Sequence, residues 1–415
     1  MNPTEANQTL IGPFSQILTM DNLPVAGPIA DAQLQVLEQG GVLVQGEKIV
    51  KTGKYTQLHR EAIEHKYKLE LIREPMVLLP GLVDAHTHMC FAGSRANDYA
   101  LRVAGKSYLE IARSGGGILD SVRKTREASV VELTELLKKR CDRHLAEGVT
   151  TCEVKSGYGL TVDDELKMLE VIGLVNRHHE LDLVPTCLAA HMLPPEFTDA
   201  NVYLEHVLSE LLPEVLEQNL ANRVDIFIED TAFKEEAAIS YLLAARDLGF
   251  DITVHADQFS SGGSRVAVEA GAVSADHLET STEAEIALMQ EAGTVATVLP
   301  GASLGLGMHY APARQMLDGG LCLAIATDWN PGSAPMGDLL LQAALLGAAE
   351  KLTIAETLAA VTLRAARALN LTDRGKIAKG KLADMIAFPT DNYKEILYFQ
   401  GKLKPKIIWK KGHRV

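Results

Sequence analysis

His86 and His88 stand one residue apart in PGLVDAHTH, directly after the apolar run Val77-Leu78-Leu79. Alternate residues of a β-strand face the same side, so both imidazoles can grip one ion. Three further histidines close later apolar runs in the same way: His191, His255 and His277. Asp328 closes another. H-x-H alone is a weak signal. Repeated at the ends of successive strand-like runs, and joined by an aspartate, it predicts a metal site with a histidine to spare for proton transfer. Imidazole and carboxylate donors suit zinc or iron. His59, His65, His144, His178, His179, His206, His309 and His413 have no such setting and are read as ordinary core or surface residues.

The elements that must position these groups follow from the apolar pattern. Eight short runs recur between amphipathic stretches of helical length: Leu82–His86, Val149–Lys155, Leu183–His191, Val224–Glu229, Ile252–His255, Val273–His277, Val295–Pro300 and Leu323–Asp328. Val131–Glu147 and Glu283–Ala292 carry the clearest helical patterns between them. That alternation marks parallel βα units. Eight units over roughly 290 residues predict an α/β fold, a (β/α)8 TIM-like barrel, whose usual size is about 250 residues. An open doubly wound sheet is the alternative, but no G-x-G-x-x-G follows the first strand. In a barrel, catalytic groups sit where the strands end, which is where the histidines and Asp328 fall. Residues 92–126, with Gly115-Gly116-Gly117, read as a long first βα loop on the rim of the site.

Residues 1–75 and 373–415 differ from this middle, with short β-like runs such as Gly41-Val42-Leu43-Val44 and Lys406-Ile407-Ile408-Trp409. They are expected to pair into a small β-sandwich domain formed by the N- and C-terminal segments, flanking a barrel over 76–372. Val77 to Val83 is expected to lead into and begin the first barrel strand. A net charge of -14 argues against nucleic acid and anionic membranes as partners. The five cysteines form no C-x-x-C pair, and no apolar run reaches transmembrane length, so a cytoplasmic enzyme is expected. A homodimer is expected on the base rate for soluble enzymes alone.

PGLVDAHTH, with the later histidines and ATDWNPG, resembles the metal-dependent amidohydrolase superfamily. More narrowly, FAGSR, YLEIARSGGGI, EGVTTCEVKSGYGL, ELKML, AAHMLPPE, SADHLE and TDWNPGSAP resemble the imidazolonepropionase family, over about residues 76 to 370. The resemblance implies His86, His88, His255 and Asp328 as ligands of one zinc or iron ion. It implies His277 as a catalytic residue beside the attacking water. Arg95, Tyr158, His191, Asn330, Gly332 and Ser333 match substrate-contacting positions. The implied substrate is 4-imidazolone-5-propanoate, a cyclic amide bearing a propionate, opened to N-formimidoyl-L-glutamate.

The chemistry agrees with those residue types. Water is too weak a nucleophile to open an amide, and a bound divalent metal lowers its pKa from 15.7 to roughly 7. A propionate needs a cation, which Arg95 can present in bidentate fashion after Gly93-Ser94. Tyr158 lies between Gly157 and Gly159, where the backbone is free to turn. Lys155 is either a further site residue or one end of an interior salt bridge. One position departs from the pattern. Many related deaminases, and some imidazolonepropionases, carry a glutamate proton shuttle three residues after the strand-five histidine. Here it is Gln258, which can hydrogen-bond a ring N–H or carbonyl but cannot shuttle a proton. Asp257 is expected to face away. Proton handling then falls on His277, with Asp328 as helper. The competing enzymatic reading is a mononuclear deaminase of another nitrogen heterocycle. A metal-free barrel serving only assembly is disfavoured by the intact donor set.

Overall fold

The computed structural model describes residues 8–106, 110 and 114–415. The rest, including most of the stretch YLEIAR, lie outside the described residues.

Eight parallel strands form the barrel in sequence order: Leu82–Asp84, Val149–Lys155, Asp182–Ala190, Arg223–Ile226, Asp251–Ala256, Ser274–His277, Val295–Val298 and Leu323–Ile325. The eighth meets the first just beyond their ends. There Thr87 bridges Trp329, Asp328 N donates to His86 O at 3.0 Å, and His88 N donates to Trp329 O at 3.0 Å. The residues that close the barrel thus include His86, His88 and Asp328, the donors singled out in the sequence. Strands buried on both faces are rich in apolar residues, as in Val295–Val298 and Leu323–Ile325, and Val149–Lys155 is buried along its whole length even though it carries Glu153 and Lys155.

The intervening helices start where the sequence supplies caps. Ser129 accepts from Glu132 N ahead of Val130–Ala146, and Thr282 forms a capping box with Glu285 ahead of Glu283–Ala292. The long first loop holds the helices Ala96–Val103 and Ile118–Glu127.

The chain ends meet in one flanking sheet of eight strands. Its path runs from His413–Arg414 through Ile407–Lys410, Met385–Phe388, Val77–Pro80, Gln8–Leu18 and Val36–Gln45 to Lys48–Lys54, with Lys68–Leu71 alongside Gln8–Leu18. Its core packs Ile11, Phe14, Met385 and Trp409, the two aromatic rings edge to face at 5.9 Å. Val77–Pro80 differs from the sequence expectation: it belongs to this sheet, and the barrel strand begins at Leu82. Gly81 makes the transfer. Its N donates to Asp384 O at 2.8 Å, while Leu82 N already donates to Gly148 O at 3.0 Å. A side chain at Gly81 would stand 2.2 Å from Thr150 Oγ1.

Buried ion pairs fasten the sheet to the barrel. Asp182, at the start of the third barrel strand, meets Lys410 Nζ and Arg374 Nη1, both at 2.8 Å.

Candidate active site

His86, His88 and His255 converge at the C-terminal mouth of the barrel. His88 Nε2 lies 3.2 Å from His86 Nε2 and 3.2 Å from His255 Nε2. Asp328 Oδ1 is 3.4 Å from His88 Nε2 and 3.6 Å from His86 Nε2. Donors arranged tetrahedrally at zinc–nitrogen distances of about 2.05 Å stand about 3.3 Å from one another. The four groups therefore fit a single ion. Two of the three rings, those of His86 and His255, are turned to this centre by a carboxylate behind them. His86 Nδ1 donates to Asp276 Oδ2 at 2.6 Å, and His255 Nδ1 is 2.8 Å from Asp225 Oδ2. With the outer nitrogen protonated, Nε2 is left as the lone-pair donor.

Burial pushes His86 and His88 well below the usual imidazole range, and His255 to about 3 against the opposing pull of Asp225. The rings are neutral, as ligands must be. Burial raises the Asp328 carboxyl, while the neighbouring imidazoles of His277 and His255 pull it back. Asp328 and His277 both adopt left-handed backbone, with φ of 51° and 83°. Such strain in non-glycine residues clusters at functional sites.

Of the residues behind this centre, only Lys155 was singled out from sequence. Lys155, wholly buried, takes the interior role, pairing with Glu153 at 2.6 Å and Asp225 at 2.8 Å. Asp225 and Asp276 were legible as charges inside otherwise apolar strands, a costly placement that asks for partners. Glu279, two residues beyond His277, lies 3.7 Å from His277 Nδ1. His277 itself is raised: burial would lower it, but the carboxylates of Glu279, Asp328 and Asp276 together outweigh burial.

Above the histidines opens a cavity of about 360 Å³. Every predicted site residue lines it except His86, which lies beneath at 0% exposure. Arg95 Nε donates to Asp98 Oδ2 at 2.7 Å, and the same oxygen accepts from Gly117 N at 2.8 Å. The guanidinium lies so close over Gly332 that a Cβ there would be 2.3 Å from Nη1. Tyr158 is buried, and burial pushes its phenol up, so it stays a hydrogen-bond donor. Its loop is pinned by Glu165, which accepts from Gly157 N, Gly159 N and Leu160 N at 3.0, 2.7 and 2.8 Å. His191 Nδ1 donates to Gly157 O at 2.9 Å, and its ring stacks on His88 at 5.1 Å.

Asn330 shapes the last loop. Its Oδ1 accepts from Gly332 N and Ser333 N at 2.7 and 2.8 Å, while Nδ2 donates to Asp328 Oδ2 at 2.8 Å. Gln258 faces the cavity. Asp257 faces away, accepting from Ser264 Oγ at 2.6 Å and Ser281 Oγ at 2.7 Å. Arg102 also lines the cavity and was missed, because nothing in its spacing marks it. His144 is a core residue held to Asp84 at 2.9 Å.

Three imidazoles and a carboxylate at the mouth of a (β/α)8 barrel, under a cavity walled by an arginine, define a metal-dependent hydrolase. Residues 77–415 match the model of the Amidohydrolase family. The chain is 40% identical over 389 residues to the imidazolonepropionase of Bdellovibrio bacteriovorus, covering 93% of this chain and 91% of that one. It is 39% identical over 399 residues to the imidazolonepropionase of Alkaliphilus metalliredigens, covering 94% of each. The chain thus belongs to the amidohydrolase family and, within it, to the imidazolonepropionases. Among solved structures, the fold is shared with atrazine chlorohydrolase from Arthrobacter aurescens complexed with zinc (TM-score 0.69, 18% identity, 98% of this chain and 94% of that one). It is also shared with a zinc-bound adenosine deaminase from Xanthomonas campestris (TM-score 0.70, 19% identity, 99% and 93%).

Proposed function

We propose that this chain hydrolyses the ring C–N amide bond of 4-imidazolone-5-propanoate to give N-formimidoyl-L-glutamate. The observation that carries the reading is the pairing, in one cavity, of the histidine–aspartate donor set with Arg95, held by Asp98 on one side and given room by Gly332 on the other. A cyclic amide with an acidic tail fits both halves.

His86, His88, His255 and Asp328 would hold one Zn(2+) or Fe(3+) ion per subunit, which would supply water activation and polarisation of the ring carbonyl. Arg95 takes the propionate in a charge-assisted contact. Tyr158, His191, Asn330, Gly332 and Ser333 contact the substrate around the ring. Gln258 steers the ring through its amide, donating to the carbonyl or accepting from a ring N–H. His277 stabilises the developing oxyanion and passes a proton to the departing ring nitrogen through Nε2, with Asp328 assisting. Water's oxygen ends in the new carboxylate; one of its protons ends on the released nitrogen, and the other is taken up by the basic formimidoyl group, which leaves as an amidinium.

Residues 76–372 carry this chemistry, and 1–75 with 373–415 form the flanking unit, joined through Val77–Pro80. The enzyme works as a homodimer in the cytoplasm. Among the described residues no helix is long and apolar enough to cross a membrane, and the charge of -14 argues against nucleic acid as a partner.

The test is turnover by the metal-loaded protein. Formimidoyl-glutamate from 4-imidazolone-5-propanoate, without ammonia, supports the reading. Ammonia from purines or pyrimidines, with no opening of the imidazolone, refutes it.

A further inference from the structure

We propose that Glu279 is the positioning residue of the proton-transfer step, holding His277 so that Nδ1 keeps its proton and Nε2 faces the reacting atoms. This rests on the hydrolytic reading above. The last strand residue before the loop, His277, and its successor Leu278 have φ of 83° and 70°. Two left-handed non-glycine residues in a row are strained and persist only where the surroundings hold them. Here Leu278 is locked into the core at 0% exposure, its N donating to Ala256 O at 3.0 Å. The turn brings residues 277 and 279 side by side.

The atoms facing each other are the ones left over. Glu279 Oε1 accepts from Ser303 Oγ at 2.8 Å, which anchors the carboxylate from the helix Pro300–Leu306. Glu279 Oε2 and His277 Nδ1 are both buried and have no hydrogen-bond partner. They lie 3.7 Å apart, a gap a small side-chain rotation closes. Catalytic hydrogen bonds are often this long before substrate binds.

The rest of the cavity gives this pair its importance. Gln258 has no proton to give or take. Of the cavity imidazoles outside the proposed ion site, His191 has Nδ1 committed to Gly157 O, and only His277 has a carboxylate within reach among the described residues. A base oriented by a carboxylate behind it is the same logic that fixes the tautomer in a catalytic triad. Glu279 therefore takes over the orienting part of the work that a glutamate at position 258 would have shared.

The experiment compares the metal-loaded wild type with Glu279→Gln, which keeps shape and removes charge, and Glu279→Asp, which keeps charge. Steady-state turnover of 4-imidazolone-5-propanoate, bound metal and unfolding temperature are measured for each. The expected result for Glu279→Gln is a kcat lower by about 10²–10³-fold, with KM within about threefold and metal content unchanged. Glu279→Asp recovers at least tenfold over Gln. A kcat for Glu279→Gln within threefold of the wild type overturns the inference. So does a loss of metal or folding that accounts for the defect, or a Glu279→Asp no better than Gln. A wild type that does not open the imidazolone overturns the functional reading itself, and this inference with it.

Discussion

Replacing Gly332 by alanine isolates the carboxylate anchor from the rest of the site. The added Cβ would stand 2.3 Å from Arg95 Nη1 and 3.0 Å from Cζ, where ordinary contact begins near 3.4 Å. The guanidinium must therefore retreat by about 1 Å, and misplacement on that scale costs on the order of 10²-fold. The atom in the way is the far end of a flexible side chain, so the fold yields there at little cost. The nearest other atom, Asn330 Oδ1 at 3.3 Å, is only slightly crowded. The expected result is a kcat/KM for 4-imidazolone-5-propanoate lower by about 10²-fold, equivalent to about 2.7 kcal/mol. Most of it falls in KM, because the carboxylate is remote from the bond that breaks. The unfolding temperature stays within about 2 °C of the wild type, and the bound metal is unchanged. A double-mutant cycle sharpens the test: on an Arg95→Ala background, Gly332→Ala should add almost nothing. A kcat/KM within threefold of the wild type, or an undiminished effect without Arg95, refutes the assignment of Arg95 as the propionate anchor.

Two further perturbations probe the residues behind the site. Asp276→Asn removes the carboxylate that turns His86 Nε2 to the centre at 2.6 Å through Nδ1. The metal affinity should fall about 10–100-fold in chelator competition, with activity restored at high metal; an unchanged affinity argues against the donor set. Asp182→Asn cuts the tie between sheet and barrel and should cost about 1–3 kcal/mol at pH 7. Burial pushes the Asp182 carboxyl up, but Lys410 and Arg374 outweigh it and hold it below the ordinary range. A depressed carboxyl contributes fully above its unfolded value of about 3.9 and loses that contribution as pH falls through the folded one. The wild-type advantage in thermal unfolding should therefore be full at pH 5–7 and shrink below pH 4. A difference constant down to pH 3 refutes this account.

The barrel was legible because its strands are apolar on both faces and its helices carry caps; Glu283–Ala292 has the same bounds in sequence and structure. The clustering of His86, His88, His255 and Asp328 was legible because these residues end strands, where spacing along the chain becomes proximity in space. Gly81 hid the division at Val77–Pro80, since an apolar run cannot say which of two sheets it joins. Asp225, Asp276 and Glu279 were harder. Their roles depend on which strand lies next to which, and on a left-handed turn at His277 that no residue type announces. Arg102 reached the cavity through the path of a loop, which periodicity does not describe.

The buried charges also explain why these orienting carboxylates need the ion as much as the ion needs them. Glu153, Asp225, Asp276 and Asp328 are all at least 98% buried, and one ammonium, that of Lys155, sits among them. Uncompensated buried charge is costly, so the carboxylates compete for that cation. Asp225, which meets both Lys155 and His255 at 2.8 Å, is held well below the ordinary range even though burial raises it. The others are left short. Burial raises Asp276 and Asp328, and lifts Glu153 to about 7 despite its contact with Lys155. The Arg223 guanidinium also acts on Glu153 and Asp276, yet burial still leaves both of them, and Asp328, above the ordinary carboxylate range. A cation held among the three imidazoles and Asp328 would offset this, acting on Asp328 directly and on Asp276 through His86. Positioning of the ring nitrogens and compensation of the buried carboxylates are therefore one arrangement, and removing the carboxylate behind a ligand should disturb the metal before it disturbs the fold.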